Sequence, residues 1–269
     1  MARLLPDRPV ARSGIESAIL DACARARGIP LHGLLEPTSQ PVPLRTDITI
    51  PIGTTARTVE LALAHAAAGF DCFKVKVGRD AVHDREALAA IHDAVPDARF
   101  RLDANESFDA ATALRLLEDL LAAGLHVELF EQPCPRADLS AMAEITAHSS
   151  VPIVADESAR TLDDVDRIAT HATAHAINLK LAKMGGPLAS LAIALRARAH
   201  GLTLMAGAMV ETRLGITTMA HVVTALGGVD WLDLDTPVLL ATDPFIGGYA
   251  SSGPHLKLRT SPGVDVEVR

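Results

Sequence analysis

The sequence predicts an α/β chain built as a TIM-like barrel of parallel strands alternating with helices. Two observations carry this. Short apolar, often β-branched segments end near Ile50, Lys76, Asp103, Glu131, Asp156, Lys180, Gly207 and Asp235, at intervals of 24 to 28 residues. Between them lie stretches rich in Ala and Leu, of helical length. Strands alternating with helices imply a parallel sheet. Eight such units within 269 residues argue for closure into a barrel. A doubly wound open sheet is the alternative, and it would normally carry a glycine-rich phosphate loop after its first strand. None follows Ile50.

In chain order, residues 13–28 predict an amphipathic helix. Ile15, Ala18, Ile19, Ala22, Cys23 and Ala26 recur at three- and four-residue spacing, and Gly28 with Pro30 ends the run. Residues 31–44 are proline-rich and irregular, and the first strand follows around Asp47–Ile52. Helices are expected over Ala56–Ala68, Asp84–Ala94, Asp109–Ala123, Leu139–Ala147, Leu162–Ala169, Pro187–Ala199 and Leu214–Leu226. Beyond Asp235, the runs Leu256–Leu258 and Val264–Val268 alternate like two short strands outside the barrel rhythm.

Composition narrows the function classes. The chain is 49% hydrophobic and 22% charged, which suits a globular protein with a large core. A net charge of −8 with no basic run, and only 3% aromatic residues, argue against nucleic acid as a partner. No apolar run approaches a membrane span, and Met1–Pro6 holds no signal-peptide core. Cys23, Cys72 and Cys134 are far apart and odd in number, fitting neither a disulfide framework nor a zinc site. The expectation is a reduced, cytoplasmic protein.

The chemistry centres on Phe73-Lys74-Val75-Lys76-Val77-Gly78, a strand ending at a glycine. Alternation puts Lys74 and Lys76 on one face, about 7 Å apart along the backbone. Mutual repulsion and burial both favour the neutral amine, so at least one lysine is expected to have a lowered pKa and to serve as a general base. Taken alone, the stretch also reads as an exposed strand with two solvated lysines.

The other strand ends decide between these. Side chains at the C-terminal ends of barrel strands face the active site. There the sequence presents Asp103-Ala104-Asn105, Glu131-Gln132-Pro133, Asp156-Glu157-Ser158 and Asn178-Leu179-Lys180. Three carboxylates on successive strands ask for a cation. Oxygen donors without His or Cys suit a hard ion such as Mg²⁺, with Asp103, Glu131 and Asp156 as ligands. In a closed ring of eight, the sixth strand lies opposite the second, so Lys76 and Lys180 would face each other with the metal between them. Two bases on opposite faces of one carbon permit removal of a proton from one side and its return from the other. A metal ion would stabilise the enediolate formed next to a carboxylate. Asp233 and Asp235 form a second acidic pair, expected on one face of the eighth strand and suited to a substrate ammonium group.

The ordered set KVK, DAN, EQP, ADES and NLK resembles the enolase superfamily, and within it the muconate-lactonising subgroup. The resemblance implies a (β/α)7β barrel. It implies that Lys76 and Lys180 are the acid/base pair and that Lys74 tunes Lys76. Asp-x-Asp at 233 and 235 is similar to the pair that holds the free amine of the substrate in dipeptide epimerases of the L-Ala-D/L-Glu type. The loop Gly207–Thr212, with Ala208 and Met209, resembles the family's substrate-lining loop. The implied reaction is Mg²⁺-dependent epimerisation at the α-carbon of a dipeptide's C-terminal residue, by a soluble homo-oligomer. The alternatives within the subgroup are N-acylamino acid racemisation, o-succinylbenzoate synthesis and cycloisomerisation. Outside it, the alternative is a barrel that binds but does not catalyse. The resemblance also implies three segments: a remnant of an N-terminal α+β capping domain over 1–42, the barrel over 43–242, and a C-terminal segment over 243–269 that packs on the cap region. Most of that capping domain is expected to be missing, which would leave apolar surface on helix 13–28 uncovered.

Overall fold

The structure is a computed structural model describing residues 5–269. The expected leaderless start and the proposed 1–42 segment fall partly on residues 1–4, outside the described residues. Eight parallel strands form one sheet whose order follows the chain. They are β1 (Ile48–Ile50), β2 (Cys72–Lys76), β3 (Arg99–Asp103), β4 (His126–Glu131), β5 (Ile153–Ala155), β6 (Ala176–Leu179), β7 (Thr203–Ala206) and β8 (Trp231–Leu232). Every expected strand is present. The chain forms two compact units.

One unit comprises Asp47–Asn178 with His200–Thr203 and carries β1 to β6. Its helices are Thr55–Ala67, Ala81–Ala94, Ala110–Ala122, Leu139–His148 and Leu162–His171. Each opens on a Thr or Asp whose side chain accepts a backbone N–H: Thr54, Asp80, Asp109, Asp138 and Thr161. Such caps contribute about 1 kcal/mol each, and they start each helix at a definite point after its strand. One face of the strands is apolar. Phe73, Val75, Phe100, Leu102 and Phe130 pack with Leu88, Ile91, Leu116 and Leu120 into the core. The opposite face of β2 and β3 carries Lys74, Arg101 and Asp103, so alternation separates the hydrophobic layer from the charged one.

The ladder between β3 and β4 contains an irregularity that matters for function. Phe100 pairs with Val127, but Arg101 pairs with Leu129, leaving Glu128 as an extra residue on β4. Without this bulge, Asp103 would face Phe130. With it, Asp103 pairs with Glu131.

The other unit comprises the chain up to Thr46 with Leu179–Ala199 and Leu204–Arg269. In it, β7 pairs with β8 through Met205–Trp231 and Ala206–Leu232. An antiparallel sheet sets His255–Leu258 between Leu44–Arg45 and Tyr249–Ser252, and Phe245–Gly247 pairs with Val266–Val268. The two tail strands therefore form, but each finds its own partner. The first helix runs Pro9–Ala26 rather than 13–28, with proline at its first turn, where a missing N–H costs nothing. Ile15 and Ile19 are 43% and 51% exposed. Beside buried Ala24, polar contacts dock this helix: Arg12 Nη2 donates to Met184 O at 3.5 Å, and Glu16 Oε2 accepts from Leu188 N at 2.9 Å. Gly185 and Gly186 make room for it, since a Cβ on either would lie within 2.4 Å of Arg12 or Glu16.

Candidate active site

Lys76, Asp103 and Glu131 are consecutive register partners across β2, β3 and β4. Lys74 Nζ lies 3.0 Å from Asp103 Oδ2 and 2.7 Å from Glu131 Oε2. Lys76 Nζ lies 2.6 Å from the same Asp103 Oδ2 and donates to Asn105 Oδ1 at 3.0 Å. Both lysines thus meet on Asp103, and the expected repulsion between them is offset by a shared carboxylate. Their access differs sharply. The Lys74 side chain is 2% exposed and that of Lys76 is 29%. Lys74 is enclosed between two buried carboxylates, whereas Lys76 reaches solvent.

Beneath this layer on the same face lies a ladder of charge. Arg101 bonds Glu128 Oε2 at 2.8 Å and Asp47 Oδ2 at 2.9 Å, and Arg99 bonds Glu128 Oε1 at 2.5 Å. Burial disfavours the charged forms here, yet the two guanidiniums hold the Glu128 carboxyl below its ordinary range. Cys72 stands beside Glu128 at 3.6 Å, its thiol pushed up by burial. All three cysteines are free.

Asp156 follows β5 directly and is buried. Its backbone N–H donates to Gln132 Oε1 at 3.0 Å, which fixes the turn that presents it. Asn178 ends the set in this unit: its Nδ2 donates to Glu131 Oε1 at 2.7 Å. Asp103, Glu131 and Asp156 are each buried and offer oxygen donors alone, the donor chemistry that a hard divalent ion prefers.

Sequence reasoning left several participants without a role. Asn178 orients Glu131. Asn105 links Lys76 to Glu157, whose Oε1 accepts from Asn105 Nδ2 at 3.0 Å. Burial, then the charge of Asp156, push the Glu157 carboxyl up. Gln132 braces the Asp156 turn through Asp156 N and Ser158 N. Each lies one or two residues from a proposed ligand or base, and that adjacency was the available signal. Asn105, Glu106 and Gln132 adopt φ of 44°, 72° and 36°. Left-handed backbone at non-glycine residues costs of order 1–3 kcal/mol and clusters at functional sites. Gly78, at φ 111°, is required because a Cβ there would meet Ser107 Cβ at 2.4 Å.

The second unit carries Lys180, Ala208, Met209, Asp233 and Asp235. Lys180 follows β6 directly and is buried. Ala208 is half-buried and Met209 exposed, in the loop after β7. Asp233 and Asp235 are both buried, but the strand ends at Leu232, so strand alternation does not set their directions. Asp233 N donates to Ala206 O at 2.9 Å, and Leu234 N to Thr46 Oγ1 at 2.7 Å. Asp235 is the N-cap residue of the short helix Thr236–Leu239.

A family model described as enolase C-terminal domain-like matches residues 57–269. The chain is 42% identical over 259 residues to an aromatic dipeptide epimerase of Herpetosiphon aurantiacus, covering 96% of this chain and 72% of that protein. It is 34% identical over 268 residues to the L-Ala-D/L-Glu epimerase of Bacillus subtilis, covering 98% and 72%. A solved dipeptide epimerase of Enterococcus faecalis, complexed with Mg and the dipeptide L-Leu-L-Tyr, is 31% identical, with a TM-score of 0.92 over 99% of this chain and 75% of that one.

Proposed function

The chain belongs to the enolase C-terminal domain-like family, and from that premise we propose that it is a Mg²⁺-dependent dipeptide epimerase. The reaction moves the α-proton of the C-terminal residue from one face to the other. The observation that carries this reading is the arrangement of Lys76, Lys74, Asp103 and Glu131: an accessible lysine, an enclosed lysine, and two buried carboxylates in register.

Each residue has a role that its own setting supports. Lys76 ends β2 and reaches solvent, so it takes or returns the proton on one face. Lys180, directly after β6, serves the other face. Lys74 stays an ammonium and sets the charge that Lys76 feels through Asp103. Asp103, Glu131 and Asp156 would hold the divalent ion, with Asn178 orienting Glu131. Bound there, the ion would supply charge stabilisation for the enediolate oxygens. Asp233 and Asp235 take the ammonium end of the dipeptide, and Ala208 and Met209 line its side chains.

The test is proton NMR in D₂O with Mg²⁺, starting from L-Ala-L-Glu and from L-Leu-L-Tyr. The expected result is loss of the C-terminal α-proton signal, growth of the diastereomer, and arrest of both by EDTA. Retention of the α-proton in every dipeptide of a broad panel would overturn the reading.

A further inference from the structure

Glu211 lies in the loop after β7, just ahead of helix Arg213–Leu226, and has no role so far. Its placement is over-determined. Thr236 Oγ1 donates to Glu211 O at 2.7 Å and accepts from Glu211 N at 3.3 Å. Glu211 Oε1 accepts from Met209 N at 3.2 Å. Glu211 Oε2 occupies the space that a side chain at residue 215 would need: a Cβ on Gly215 would lie 2.2 Å from it. The glycine therefore lets the carboxylate lie over the first turn of the helix that follows. Burial pushes this carboxyl up, against the Met209 N–H and the charge of Lys180. A half-buried carboxylate is costly unless a partner repays it.

The backbone supplies the partner's position. Gly207 N donates to Leu179 O at 2.9 Å, so the end of β6 and the start of this loop are hydrogen-bonded neighbours. Lys180 is the next residue after Leu179, buried, and acts electrostatically on Glu211. We propose that Glu211 is a positioning residue for Lys180: its carboxylate orients the Lys180 ammonium and governs the proton transfer on that face, leaving the Lys76 face alone. This rests on the dipeptide-epimerase reading of the same site. A lysine without an opposing carboxylate keeps its reach but loses the fixed direction that general acid–base catalysis needs.

The experiment is α-proton exchange in D₂O, measured separately from each of the two diastereomers of one dipeptide. Lys180→Ala identifies the isomer deprotonated by Lys180, as the one whose exchange stops. Glu211→Gln keeps the size and the acceptor for Met209 N–H but removes the charge. It should slow exchange of that isomer by about tenfold, a fraction of what acid–base catalysis supplies, while the other isomer stays within about twofold. Gly215→Ala, which displaces the carboxylate without removing it, should reproduce the one-sided loss. Equal slowing of both isomers, or of neither, overturns the proposal. NMR of protein labelled at lysine Cε gives a readout that needs no turnover. Glu211→Gln should move the Lys180 resonance and leave Lys257 in place. An unmoved Lys180 signal overturns the proposal even if no dipeptide reacts, and a moved one with inert dipeptides isolates the failure in the reading of the substrate.

Discussion

Lys76 and Asp103 are register partners on adjacent parallel strands, and Lys76 Nζ lies 2.6 Å from Asp103 Oδ2. One proposed base and one proposed metal ligand are therefore in contact, each able to sense the other's charge. Lys74 shares the same oxygen from the enclosed side. The site is a small electrostatic network rather than a set of separate groups.

Removing one of two bases should separate exchange from epimerisation. Lys76→Ala and Lys180→Ala are each expected to abolish formation of the diastereomer. Each should keep solvent exchange from a single stereoisomer, and the two variants should keep opposite ones. Deuterium incorporation followed by NMR checks this. Full epimerisation in both variants would sink the two-base assignment.

Lys74 neutralises Asp103 and Glu131, both buried. Breaking a buried pair by removing one partner costs about 3–5 kcal/mol. Lys74→Met should lose stability of that order in EDTA, and a clearly smaller amount in saturating Mg²⁺, because a divalent ion offsets the same two charges. Urea denaturation under both conditions gives the comparison. An identical loss in each would mean that lysine and metal do not share those carboxylates.

Asp235 is buried at the head of the helix Thr236–Leu239. Asp235→Asn should weaken dipeptide binding by roughly tenfold, the scale of a charge-assisted hydrogen bond, with Mg²⁺ affinity nearly unchanged. Calorimetric titration of each ligand separates the two. Parallel loss of metal and dipeptide would remove the ammonium-anchor role.

His221 is buried against His32, with ring centroids 5.4 Å apart, and its Nδ1 accepts the His32 backbone N–H at 3.2 Å. Burial, with the charge of His32 adding to it, lowers its pKa to about 3 from an ordinary 6.5. The unfolded chain binds this proton first as pH falls. Stability is therefore complete above about 6.5 and declines as pH drops toward 3, by up to about 1.4 kcal/mol per pH unit. His32 is lowered by burial too and adds in the same sense. His221→Asn should flatten the loss between pH 7 and pH 5, read from urea midpoints. A variant as acid-sensitive as the parent would place the sensitivity elsewhere.

The strand rhythm, the helices between the barrel strands, the paired lysines and the carboxylates at strand ends were legible in the sequence, whereas the helix Leu31–Leu35 lies in a stretch that reads as irregular. Those features follow from local periodicity: two residues per strand repeat and about 3.6 per helical turn. Which lysine is enclosed was not legible, because alternation makes Lys74 and Lys76 equivalent until neighbouring strands cover one of them. Nor was the register of Glu131 with Asp103. Glu128 and Glu131 are three apart and should point to opposite faces, and only the bulge at Glu128 brings both onto the charged face. The fold also ended the eighth strand at Leu232, short of the aspartates, and tucked Glu211 against Gly215. Pairing register, burial and close approach are set by residues distant in the chain, so local pattern proposes the chemistry of this protein and tertiary packing decides which atoms can perform it.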